Sequence, residues 1–194
     1  AIEGNHIQGA ASFPRANRSM FMRDLNSSIA RAVPRYTPEY QGGRFWARRY
    51  SSEILPAPED IEERFFYTVL QPVQDGLVSR ITDYPGYNCF YDAIWGRKRK
   101  FKVVRWKEDH WALRTDPNAS IDNFTDIVIL QYDRIPGYEQ LSQKEYAHLM
   151  IKKLNARQDD LSRLRKSKGL RFAGREKRRE SKRGAGAKRS KRTI

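Results

Sequence analysis

The chain has 194 residues, of which 39% are hydrophobic, enough for one modest core with an appendage. Its lone Cys89 excludes a disulfide framework and a cysteine metal cluster, and no apolar run approaches the roughly 18 residues that span a bilayer. The net charge of +15 is segregated: residues 151–194 hold 18 Lys or Arg against 4 acids, whereas residues 1–150 hold 20 against 19. A near-neutral body with a basic tail implies a polyanionic partner whose phosphate backbone is tracked without sequence reading. The absence of an N-terminal Met implies a fragment or a processed product, and the single cysteine suits a reducing cytosol.

Gly4 to Phe13 reads as a buried strand with polar edges. Residues two apart share a strand face, so His6 and Gln8 project together while Ile7 goes to the other side. An imidazole nitrogen and an amide oxygen on one face suit Mg²⁺ or Mn²⁺. The plainer reading is a solvated polar face. Phe21, Leu25, Ile29 and Val33 then step by four, giving an amphipathic helix that Pro34 is expected to end, with Arg23, Asn26 and Arg31 on its polar side. Tyr40 to Ser52 interleaves aromatic and guanidinium groups. That composition suits either a surface for a splayed nucleic-acid strand or a strand with alternating core aromatics.

A second helix begins at Pro58-Glu59-Asp60, where proline and acidic groups fit free N–H groups and the macrodipole. Ile61, Phe65, Val69 and Leu70 form its apolar stripe. Pro72 lacks an N–H and clashes one turn back, so the helix is expected to end or kink near Gln71. Tyr67 and Gln71 are four apart and lie on one helical face. A Phe-Phe-Tyr run on such a helix is by default core.

Ile81 to Phe90 reads as a turn into a short helix. The run Arg97-Lys98-Arg99-Lys100-Phe101-Lys102, between Trp95 and Trp106, is a solvated surface or a nucleic-acid patch. Asp122 to Tyr132 contains a short apolar strand, expected to be buried, and Tyr138 to Leu154 a helix. From residue 155 the composition becomes Arg-, Lys- and Gly-rich, with disorder expected beyond about residue 172. His110 and His148 have no other candidate ligand nearby in sequence and read as surface or satisfied core groups. No Gly-rich nucleotide loop, Ser-His-Asp order or carboxylate dyad is present.

Three strings together carry a resemblance: Asn5-His6-Ile7-Gln8; Gly43-x-x-Trp46-x-x-Arg49-Tyr50; and Tyr67-x-x-Leu70-Gln71-Pro72-Val73-x-x-Gly76-Leu77-Val78. They resemble the bacterial REP-associated tyrosine transposases, single-tyrosine relatives of the HUH endonucleases, over roughly residues 1–105. The resemblance implies an α+β domain, with a ferredoxin-like or RRM-like antiparallel sheet and helices on one face. On this resemblance the domain would be incomplete at its N-terminus, because the family has a strand and a helix ahead of its Asn-His-x-His strand. Residues 106–154 would be an accessory α/β extension and 155–194 a basic, largely disordered tail.

The implied activity is that of a DNA transposase, a single-strand endonuclease that cleaves and rejoins DNA through a 5′-phosphotyrosine. Tyr67 would be the nucleophile, and His6, Gln8 and Gln71 would hold Mg²⁺ or Mn²⁺. Gln8 stands where the family has its second histidine, as in the His-hydrophobic-Gln-Gly strings of the replication initiators of small circular DNA viruses. Gln71 stands where the family more often has Asn, and Gly86-Tyr87-Asn88 replaces the common Trp-Ser-Ser. Arg48 or Arg49 would contact the DNA strand with Trp46 packed inside, and Arg97, Lys98, Arg99 and Lys100 would form a further DNA-binding patch. The expected partner is single-stranded or hairpin DNA, the expected location the cytoplasm at the nucleoid, with no membrane association. The alternative is a non-catalytic nucleic-acid-binding protein derived from such a transposase.

Overall fold

A computed structural model describes residues 7–37, 40, 42–105, 112, 114–116, 118 and 120–174. The chain divides into two compact units, residues 10–57 on the one hand and residues 1–9 with 58–194 on the other.

In the first unit, α1 (Arg18–Tyr36) carries the stepping apolar residues read from the sequence. It runs on past Pro34, which sits in the last turn, where the missing N–H removes only a terminal bond. None of its residues is fully buried. The described residues from Tyr40 to Ala57 form neither helix nor strand, so the aromatic–arginine segment is irregular. It is tied down locally. The Trp46 indole donates to the Asn26 carbonyl at 2.9 Å, and the Phe45 ring stands edge-on to Trp46 at 4.7 Å.

The second unit is built on three helices: α2 (Pro58–Gln74), α3 (Phe90–Ile94) and α4 (Gln143–Ser167). Their apolar stripes meet in one core. Phe66, Val69, Leu70 and Val73 come from α2, Phe90 and Ile94 from α3, and Tyr146, Ala147, Met150 and Leu154 from α4. The Phe90 ring stacks on Phe65 at 5.9 Å and lies 6.4 Å from Phe66. Pro72 does not stop α2 at Gln71. Its ring is buried in the core, its carbonyl accepts from Leu77 N at 2.9 Å, and the chain turns at Gly76 with φ +72°. Packing of the ring and the following turn offset the single lost helical bond.

Helix α4 opens with a capping box. Ser142 Oγ accepts from Glu145 N at 3.3 Å, and Glu145 returns the bond to Ser142 N at 2.9 Å. It continues well past Leu154, because Gln158, Leu161 and Arg165 extend the core-facing stripe at helical spacing. Residues 155–167, basic and low in complexity by composition, are therefore helical.

Strands β1 (Arg99–Val104) and β2 (Thr125–Leu130) pair antiparallel, with Arg99 opposite Leu130 and Val104 opposite Thr125. The chain is thus mixed α and β with a two-stranded sheet among the described residues. β2 is the strand read from Asp122 to Tyr132, but it is not buried: Ile127 is 65% exposed and Ile129 53%. No described element covers the ribbon, so alternation alone cannot bury either face. The strand expected over Gly4 to Phe13 is only partly within the described residues. Ile7 is a lone bridge residue there and Gln8 to Phe13 is irregular.

Candidate functional site

Helix α2 sorts its residues sharply by depth. Phe66, Thr68, Val69 and Leu70 are buried, whereas Tyr67 between them is 41% exposed. With 3.6 residues per turn, Arg64, Tyr67, Gln71 and Asp75 follow one another along one edge of the helix and the turn after it. The Arg64 guanidinium lies 5.1 Å from the centre of the Tyr67 ring, a cation–π approach that also sets a positive charge beside the phenol. One turn on, Gln71 Nε2 donates to Asp75 Oδ1 at 3.2 Å. That bond turns the amide so that its carbonyl oxygen, Oε1, is shielded from water and has no partner among the described residues.

A divalent cation, implied by the resemblance, can be tested at this atom. A buried, uncommitted amide oxygen is a hard donor of the kind Mg²⁺ and Mn²⁺ accept, while the Asp75 carboxylate is engaged by the amide nitrogen. The fit is therefore chemical and extends to one donor of the expected three. His6 lies outside the described residues, and Gln8 is half-buried. Among the described residues no three His, Cys, Asp or Glu side chains gather into a metal cluster.

The other tyrosines of this unit occupy different environments. Tyr87 donates to Asp92 Oδ2 at 3.0 Å and lies 2.9 Å from the Tyr132 hydroxyl. Burial, then the bonds to Tyr132 and Asp92, push the Tyr87 phenol far above its ordinary value. Burial likewise raises Tyr132 and Tyr146. These phenols stay protonated and are poor nucleophiles.

Arg99 belongs to the same network. Its Nε donates to Asp92 Oδ2, and its guanidinium stacks 4.9 Å from the Tyr87 ring. Burial opposes ionisation of Asp92, but the Arg99 and Tyr87 bonds outweigh it and hold the carboxyl below the usual range. Arg99 thus clamps the ribbon to α3, while its neighbours Arg97, Lys98 and Lys100 are exposed, Arg97 adding a favourable charge interaction with Asp92. Arg48 and Arg49 are exposed in the other unit, Arg49 lying 5.7 Å from the Tyr50 ring, with Trp46 half-buried beside α1. Arg23 is engaged by Asp24 at 2.8 Å. His148 is a surface group, edge-on to Trp95 at 6.2 Å, and His110 lies outside the described residues.

Sequence reading missed the Tyr87–Asp92–Arg99–Tyr132 network and the cluster in which Lys153 Nζ reaches both Glu62 oxygens at 2.7 and 2.9 Å. Their partners are up to 91 residues apart, so no spacing rule could reveal them. The Gln71–Asp75 pair, by contrast, stands at i, i+4 and was available to such a rule.

Comparison of the chain with protein-family models, curated proteins and solved structures finds no significant match. Fold and site together define a mixed α and β chain: a helical core, a two-stranded ribbon and an exposed tyrosine on a core helix. Among the described residues no helix is long and apolar enough to cross a membrane.

Proposed function

We propose that this chain cleaves and rejoins single-stranded DNA, with Tyr67 as its nucleophile. One observation carries the reading: Tyr67 is exposed in the middle of a buried run, one turn from an uncommitted buried Gln71 oxygen. A tyrosine kept only for packing would be turned inward, as Tyr146 is.

A neutral phenol is a poor nucleophile, so a tyrosine that attacks phosphorus requires help. The Arg64 guanidinium over the ring can contact a phosphate oxygen as the strand docks. As the phenol releases its proton, its oxygen attacks phosphorus. The bond from phosphorus to the 3′ oxygen breaks, and that oxygen takes up a proton to leave a 3′-hydroxyl. The 5′-phosphotyrosine keeps the ester bond, so a second 3′-hydroxyl can displace Tyr67 without a nucleoside triphosphate. Gln71, with His6 and Gln8 as further donors, would hold Mg²⁺ or Mn²⁺, which supplies charge neutralisation at the scissile phosphate.

The test incubates the chain with Mn²⁺ and a hairpin oligonucleotide labelled 3′ of the cut, followed by denaturing electrophoresis. A covalent species should form, disappear in Tyr67→Phe and persist in Tyr50→Phe. Intact oligonucleotide binding with no adduct in any variant would instead favour the alternative, a non-catalytic nucleic-acid-binding protein. The basic tail supports binding under either reading.

A further inference from the structure

An open cleft of about 660 Å³ lies beyond the C-terminal end of α2, lined by Ser79, Arg80, Asp159, Ser162 and Arg163. Its two walls are the loop that follows Gly76 and the late turns of α4. They are held at a fixed separation by Gln158, 2% exposed, whose side-chain oxygen accepts from Ile81 N at 2.9 Å. Two guanidinium groups and two hydroxyls therefore face one opening on a rigid support.

The ion pairs of these arginines do not account for their placement. Arg80 Nη2 meets Asp159 Oδ1 at 2.7 Å, with the side chains 45% and 55% exposed. Arg163 Nη2 meets Asp160 Oδ1, with the side chains 78% and 65% exposed. Pairs this open to water contribute little to stability. Each guanidinium has five N–H donors and engages a carboxylate through one nitrogen, so most donors of Arg80 and Arg163 have no partner among the described residues. Planar forks held beside hydroxyl donors match the oxygens of a phosphodiester.

We infer that this cleft is a backbone site for single-stranded nucleic acid, in which Arg80 and Arg163 each take a phosphate and Ser79 and Ser162 add hydroxyl donors. The inference rests on the nucleic-acid reading of the proposed function but not on Tyr67 chemistry. Asp159 opposes the bound strand and tempers its affinity.

The experiment measures binding of the full chain to oligo(dT) across a salt series. Each phosphate contact on a single strand contributes about 0.7 to the slope of log K against log salt. Arg80→Ala with Arg163→Ala should therefore flatten the slope by about 1.4. The double Lys variant should retain the slope, because the charges remain. Asp159→Asn breaks the same Arg80 pair yet should tighten binding, since it removes a negative charge from the cleft. A merely structural pair would give loss of stability and no gain in affinity. An unchanged slope in the double Ala variant, or weaker binding in Asp159→Asn, would overturn the inference. Adduct formation at Tyr67 is read separately: an adduct with an unchanged slope condemns the cleft alone, and a flattened slope without any adduct condemns the chemistry alone.

Discussion

Asp92 shows how much one buried carboxylate can hold. It is 4% exposed and accepts from both Arg99 and Tyr87, so it ties β1 and the turn before α3 to the core. Its ionised form is favoured in the folded state, which places its contribution above the ordinary carboxylate range near pH 4. That contribution drains away as pH falls below about 4, when the folded-state carboxyl takes up its proton. Asp92→Asn should lower unfolding free energy at pH 7 by about 1–3 kcal/mol, the scale of a lost hydrogen bond to a charged group. Denaturant melts should show the gap between the variant and the parent narrowing as pH falls below about 4, and a constant gap between them would assign Asp92 no electrostatic role. Tyr67 is the opposite kind of residue, since its exposed ring is not held in the core and its change to Phe should leave stability nearly untouched.

At the scale of the element, α2 and α4 carry the core. Phe90 on α3 fills the space beside them, fully buried against Phe65, Phe66 and Tyr91. Phe90→Ala should cost about 3–5 kcal/mol, because the neighbouring rings cannot collapse fully into the cavity. A loss below 1 kcal/mol in a chemical melt would mean that the helices repack freely. The start of α2 at Pro58 and the stripe of α1 were legible, because caps and periodicity are local properties. The helix ends were not: Pro34 and Pro72 fall in final turns, where one missing bond is tolerated. The reach of α4 was hidden by its composition, since Lys and Arg outnumber the few residues of its buried stripe after Leu154. For β2 the pattern gave the strand but not its exposure, which depends on what packs against it. Tyr67 and Gln71 could be placed on one face from spacing, whereas the depth that separates Tyr67 from Phe66 is a property of the packed core.

Over the whole molecule, charge and fold have different boundaries. The basic excess begins near residue 151, but the helix runs to Ser167, and residues 173 and 174 dock on the turn after α2 through Ala173 N to Gly76 O at 2.8 Å and Gly174 N to Leu77 O at 3.0 Å. The segment 175–194 still holds ten Lys or Arg against two Glu. Deleting 175–194 should flatten the salt dependence of oligonucleotide binding while leaving the thermal transition in place. Deleting 155–194 should also lower the transition, because it removes Gln158 and the Arg165 contacts. Equal thermal losses in the two deletions would contradict the boundary at the docked segment. The central claim, however, is chemical. Trypsin cuts after Arg64 and Arg80, and the resulting peptide, residues 65–80, contains Tyr67 as its one tyrosine. Mass spectrometry of the chain after reaction with a single-stranded hairpin and Mn²⁺ should find this peptide carrying a 5′-linked nucleotide on Tyr67. The same mass added to any other peptide, with residues 65–80 unmodified, would contradict the assignment.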